Sequence, residues 1–186
     1  MAEVAGNGYV MRGSRNEGGV KKGVDNAGWI AQEEGWVKLN IDAGVNDGVG
    51  VGVGAVCRDA MGKVLWGLSY NRKEVWEPHV AEAVAVLDGM EEAVRAGHDS
   101  IIVESDCSQV VDALKARNKG PSTFFLVLDD IFRICSSFHV VVWSYTSRVN
   151  NEVAHAFAHV LPGVVGKTVW IDQLPTVAEC FLGSSK

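Results

Sequence analysis

The sequence predicts an α/β domain: one mixed sheet, three antiparallel strands followed by parallel ones, with helices on its faces. Three observations carry this. Residues 36–42 alternate apolar and polar side chains, the period of a half-buried strand. Turn signals at Asn46-Asp47-Gly48 and Asp59-Ala60-Met61-Gly62 fold the next two runs, 49–58 and 63–70, back as antiparallel neighbours. Beyond Pro78 the apolar residues recur at helical spacing, interrupted by two short apolar runs at 101–105 and 139–145.

The helices follow in order. Pro78 opens the first, Gly97 stops it, and Val80, Ala83, Val84, Leu87, Met90 and Val94 form its inner stripe. Asp88, Glu92 and Arg95 mark its expected wet face. A second helix follows the 101–105 strand and ends near Arg117. Lys119-Gly120-Pro121 breaks the chain, and 123–136 reads as a third helix. After the 139–145 strand, 150–161 reads as the last helix. The predicted order is βββαβααβα, a five-stranded mixed sheet flanked by helices.

The totals agree with one folded domain. The chain has 186 residues, 47% hydrophobic and 22% charged, enough for a sizeable core. Residues 1–28 are Gly-rich without apolar periodicity and read as a disordered tail. The domain is expected over 36–162. In the 163–186 segment, Val169-Trp170-Ile171 and Leu174-Pro175 are expected to pack back onto it. No apolar run is long enough to span a membrane, and no secretory h-region stands at the start. The four cysteines are scattered, without a C-x-x-C pair, as free thiols in a reducing intracellular compartment would be; cytoplasm and nucleus are not distinguished. The net charge of −6 argues against a purely electrostatic nucleic-acid binder, which would be basic.

Three acids sit where solvated charges are not expected. Asp42 ends the first alternating strand. Asp106 stands where a buried strand meets a helix, the place where ligands bind in open α/β sheets, and it doubles there as a possible helix cap. Glu82 shares a helical stripe with Val86, Gly89 and Ala93, where a bare carboxylate bears a desolvation cost. If the first and fourth strands are parallel neighbours, the three carboxylates meet. Carboxylates that close repel unless a cation neutralises them, and oxygen-only ligands suit Mg²⁺ or Mn²⁺.

The segments carrying these acids, Lys38-Leu39-Asn40-Ile41-Asp42, Ala81-Glu82-Ala83, Val103-Glu104-Ser105-Asp106 and Arg148-Val149-Asn150-Asn151-Glu152-Val153-Ala154-His155, together with 52–62, resemble the type-1 ribonuclease H domain. The resemblance is to its plant, retroelement-derived, reverse-transcriptase-like branch, and it runs from about residue 36 to 162. It implies a ribonuclease H-like fold, an Asp42-Glu82-Asp106 metal set with His155 as fourth catalytic residue, and Mg²⁺- or Mn²⁺-dependent cleavage of the RNA strand of RNA–DNA hybrids. It implies substrate contacts at Gly44, Asn46, Ser108 and Asn151, and a monomer. The chain departs from the pattern where His155 replaces a fourth acid and Tyr145 replaces a mobile histidine, a phenol being a poor proton shuttle at neutral pH. The alternative reading is a domesticated, catalytically weak or inactive domain that binds nucleic acid or a partner.

Two further signals are weaker. Gly48, Gly50, Gly52 and Gly54 alternate with Val, which suits either a flexible strand or close approach of a nucleic-acid backbone to the sheet. His155 and His159, four apart on a helix with Glu152, make half a zinc pattern, but a polar helix face explains them more simply.

Overall fold

The computed structural model describes residues 3–4, 10–13, 35–46, 50–159, 166–172 and 175. Among them, eight strands form one sheet: β1 (Glu3–Val4), β2 (Val10–Gly13), β3 (Val37–Asn46), β4 (Gly50–Arg58), β5 (Val64–Arg72), β6 (Ser100–Ser105), β7 (Val140–Tyr145) and β8 (Gly166–Ile171). The helices are α1 (Pro78–Arg95), α2 (Ser108–Ala116), α3 (Thr123–Ile134) and α4 (Glu152–His159). The order across the sheet is β1-β2-β7-β6-β3-β4-β5-β8.

The five predicted strands are the middle of this sheet. β3, β4 and β5 form the antiparallel meander, while β6 joins β3 and β7 joins β6 in parallel. Both edges extend further than five strands. β2 adds parallel to β7 from within the segment read as a disordered tail. β8 pairs antiparallel with β5 along Trp66–Asn71, so the 166–171 segment does return to the domain, and as a strand. Leu174 lies outside the described residues.

Strand alternation sends side chains to two different layers. Leu39 and Ile41 from β3, with Val51, Val53 and Ala55 from β4, face α1, α2 and α3 in the main core. Each of the Val, Leu and Ile side chains buried there contributes roughly 1.5–3 kcal/mol. The other face carries α4 on a smaller cluster of Val56, Val153, Ala154 and Phe157, which Trp170 of β8 closes with its ring 5.3 Å from Phe157. α1 begins at Pro78 and ends as expected at Gly97 (φ 79°), where His98 N–H donates to Ala93 O and Gly97 N–H to Val94 O. That pair of bonds is the left-handed glycine stop of a helix.

The wet face expected for α1 is only partly wet. Asp88 is buried and takes two hydrogen bonds from Arg72, at 2.7 and 3.3 Å. Glu92 is largely covered because Lys167 of β8 reaches it at 2.6 Å. Arg95 alone of the three is well exposed. Partners from β5 and β8 explain the difference, and neither is adjacent in sequence.

Two of the alternating glycines, Gly52 and Gly54, have a clear structural use, while Gly48 lies outside the described residues. A Cβ on Gly52 would lie 2.0 Å from Ala158 O, and one on Gly54 would lie 2.1 Å from Ala154 O. The close backbone lying over this strand is therefore α4, not a nucleic acid. Gly89 plays the same part on the opposite face, where an added Cβ would meet Ile41 at 2.3 Å.

Candidate functional site

The parallel ladder between β3 and β6 ends at the pair Ile41–Ser105. Asp42 and Asp106 are the next residues of the two strands. β3 itself runs on to Asn46, paired only with β4, so Asp42 marks the point where two strands part rather than the end of a strand. Asp106 does not cap α2: the cap position belongs to Cys107, whose N–H is held by Ser105 Oγ at 3.1 Å. Glu82 reaches the same point from the second turn of α1. One carboxylate oxygen from each of Asp42, Glu82 and Asp106 lies within 4.8 Å of the others.

This proximity shows in the proton affinities. Burial first, then the charges of Asp42 and Asp106, push Glu82 up to about 9. Burial likewise raises Asp42 to about 6; the hydrogen bond from His155 works against that shift, and Asp106 adds to it. Glu82 Oε2 is buried and has no hydrogen-bond partner. An oxygen-only donor set with an orphaned buried oxygen and raised proton affinity is chemically suited to a hard divalent cation.

α4 brings His155 to the same place. Its Nδ1 donates to Asp42 Oδ2 at 2.8 Å, and roughly a third of its side chain is exposed. Arg148 lies beside it, with Nη2 3.3 Å from His155 Nε2 and 3.5 Å from Nδ1. Tyr145 is exposed at the end of β7, one register step from the acids through its pairing with Ser105.

The four residues expected to contact substrate fall in different settings. Ser108 opens α2, exposed and two residues after Asp106 in the chain. Gly44 is buried beneath the His159 ring, 2.5 Å from where its Cβ would be. Asn46 is the last residue of β3, and its side chain lies outside the described residues. Asn151 is buried and fully engaged: Nδ2 donates to Ile41 O at 2.8 Å and Asp106 Oδ1 at 3.2 Å, while Oδ1 accepts from Asn40. In this geometry Asn151 holds Asp106 against the end of β3.

Behind the acids lies a polar network the sequence reading missed. Lys38 pairs with Glu104 at 3.0 Å. Asn40 donates to Glu104 at 3.0 Å and to Asn151 at 3.3 Å, and Arg58 donates to Asn40 at 3.4 Å. The alternation Lys38-Leu39-Asn40-Ile41-Asp42 placed these side chains on one face, but nothing in it said that the face would be covered.

The family model described as "Reverse transcriptase-like" matches residues 40–160, most of the chain and all of the acids above. The chain belongs to the reverse transcriptase-like family. Solved structures agree on the fold of this reverse transcriptase-like domain. RNase H1 from the halophilic archaeon Halobacterium salinarum superposes with a TM-score of 0.62 at 20% identity, covering 67% of this chain and 95% of that one. The N-terminal RNase H domain of a Mycobacterium tuberculosis protein gives 0.62 at 23% identity, covering 68% and 98%. LC11-RNase H1, solved in complex with RNA/DNA hybrid, gives 0.61 at 20% identity, covering 68% and 96%. The chain has no significant match among curated proteins.

Proposed function

We propose that this chain is a divalent-metal-dependent endonuclease of the ribonuclease H type, cutting the RNA strand of RNA–DNA hybrids. The observation that carries the proposal is the meeting of Asp42, Glu82 and Asp106 within 4.8 Å, with an unpartnered buried oxygen on Glu82. These three side chains would hold Mg²⁺ or Mn²⁺. When bound, the ion supplies Lewis-acid polarisation of a phosphoryl oxygen and activation of water.

The chain's own groups supply the rest. Asn151 orients Asp106 through its side-chain amide. His155 holds a proton on Nδ1 against Asp42, within reach of solvent, where a phosphodiester hydrolysis requires proton exchange. Arg148, beside His155, adds positive charge at the rim, where a backbone phosphate would approach. Ser108 offers an exposed hydroxyl at the start of α2, two residues after Asp106. A hybrid is read by shape and 2′-hydroxyl contacts, so no base-specific groups are required. The hybrid bound to LC11-RNase H1 lends the substrate class support by analogy of fold.

A labelled RNA–DNA hybrid incubated with the protein and Mg²⁺ or Mn²⁺ tests this. Cleavage of the RNA strand by the wild type, abolished in Asp106→Asn, is the expected outcome. A second reading draws on His155 and Tyr145, which replace an acid and a mobile histidine of the resembled pattern: a domain that binds nucleic acid or a partner without turnover. Equal, negligible cleavage by wild type and Asp106→Asn would install that reading instead.

A further inference from the structure

Among the described residues, seven large hydrophobic side chains are exposed. Two of the seven, Tyr145 at 55% and Val149 at 67%, stand on the short turn that joins β7 to α4. Tyr145 pairs with Ser105, the residue before Asp106. We propose that Tyr145 and Val149 form an apolar seat for the sugar rings of the nucleic-acid strand lying across the acids, so that this chain grips a hybrid by packing more than by neutralising phosphates. The inference rests on the nucleic-acid substrate of the preceding subsection and does not require turnover.

The seat stands on a pinned turn. Val141 and Trp143, alternate residues of β7, enter the main core, and Tyr145 continues their face of the strand beyond the core's edge. The next residue, Thr146, is buried, and its N–H donates to Ser105 O at 3.1 Å. Asn150 N–H donates to Ser147 O at 2.9 Å, closing the 3₁₀ turn that carries Val149. Asn151 then ties the chain to Ile41 O and Asp106. Both apolar side chains therefore project from backbone that is already ordered, and a ligand covering them has little left to order. The Tyr145 ring stacks on no other ring among the described residues.

Charge explains why packing is needed here. The chain carries a net charge of −6, and three carboxylates stand at the centre of the site. Neutralisation of phosphates by Lys and Arg normally dominates nucleic-acid affinity and makes it fall steeply with salt. The turn itself supplies one cation, Arg148, three residues from Tyr145 and beside His155. Bases inside a hybrid are stacked on one another, whereas its wide, shallow minor groove displays sugars with their 2′-hydroxyls. A phenol ring and a valine match the carbon faces of those sugars. The consequence is an affinity for hybrid that declines only gently as salt is raised.

The test is fluorescence anisotropy of a labelled RNA–DNA hybrid with the full chain, across a series of NaCl concentrations. Ca²⁺ is present throughout as a hard cation for carboxylate oxygens. The wild type is expected to bind with a slope of log affinity against log salt no steeper than about −3. Tyr145→Ala weakens binding by about tenfold at every salt concentration and leaves the slope unchanged. Tyr145→Phe keeps the ring and binds within about twofold of wild type. Arg148→Ala does the reverse of Tyr145→Ala, flattening the slope by about one unit. Met61→Ser, in the exposed turn between β4 and β5 at the far end of the sheet, binds like wild type. Tyr145→Ala binding as tightly as wild type would overturn the proposal. So would a wild-type slope steeper than about −3, or no binding of the hybrid at all. Cleavage is scored separately: a protein that cuts hybrid yet is indifferent to Tyr145→Ala loses the seat and keeps the metal site.

Discussion

Lys38, Asn40 and Asp42 leave the same face of β3 and are nearly equally buried, at 5%, 1% and 4% exposure. Their surroundings nevertheless differ. At the Lys38–Asn40 end, a lysine, an arginine, a carboxylate and two amides answer one another at hydrogen-bond distance. At the Asp42 end, a carboxylate meets two more carboxylates, and one oxygen of Glu82 has no partner. Burial is the same in both places, so it does not separate structure from function; balance of charge does. A buried network that satisfies itself fixes the fold, whereas buried like charges set against one another mark a place suited to chemistry.

The contrast is broken most severely at Glu82. Glu82→Gln removes one carboxylate of the proposed metal set, and hybrid cleavage is expected to fall by about 10³-fold, equivalent to several kcal/mol of transition-state stabilisation. The same substitution sharpens the comparison through pH. Glu82 rises from its ordinary 4.5 to about 9 and Asp42 from 3.8 to about 6. Both groups therefore bind protons more tightly folded than unfolded. Their contribution is fully present below about pH 4 and is lost as pH rises through 6 and then 9. Metal-free protein is expected to melt at progressively lower temperature over that range. In Glu82→Gln the fall above about pH 6 disappears, and Mg²⁺ flattens the wild-type profile. A metal-free melting curve that stays level between pH 5 and 9 would contradict this.

The balanced end responds in the opposite way. Asn40→Ala strips hydrogen bonds from Glu104, Asn151 and Arg58 together, and urea denaturation is expected to show a loss of about 2–3 kcal/mol. The protein that remains folded should still be stabilised by Mg²⁺, since the three acids are untouched. A loss of comparable size, about 3 kcal/mol, is expected for Gly54→Ala, whose new methyl meets the α4 backbone at Ala154 O and Ala158 N. Because α4 must lift to admit it, the Asp42–His155 bond weakens as well, which the His155 imidazole resonances in an NMR spectrum would report.

How much of this was readable beforehand follows the same division. The elements carrying Asp42, Glu82 and Asp106 were legible because alternation, Pro78 and the apolar stripe around Glu82 are local signals. That the three meet was read only on the condition that β3 and β6 are parallel neighbours, as they are, and Asp42 lies within β3 rather than at its end. The order of the elements from β3 to α4 was legible for the same reason, whereas β1, β2 and β8 were not read as strands. What escaped depends on partners distant in the chain. Asp88 looked solvated because nothing near it announces Arg72. Gly52 and Gly54 looked like an open surface because the helix that covers them begins a hundred residues later. His155 and His159 read as one polar helix face, and the partner that β3 sets against His155, Asp42, stands more than a hundred residues earlier. Asn151, expected at the substrate, has its amide committed to Ile41 and Asp106.

The pairing of β8 with β5 has a practical bearing on any shortened form of this protein. Were the chain cut just after α4, β5 would present a row of open amides and carbonyls to its neighbours, Phe157 would lose the indole covering it, and Glu92 would lose Lys167. Such a fragment would be prone to stick to copies of itself, edge to edge. Its silence in a cleavage assay would then reflect a missing selvage rather than a missing catalyst.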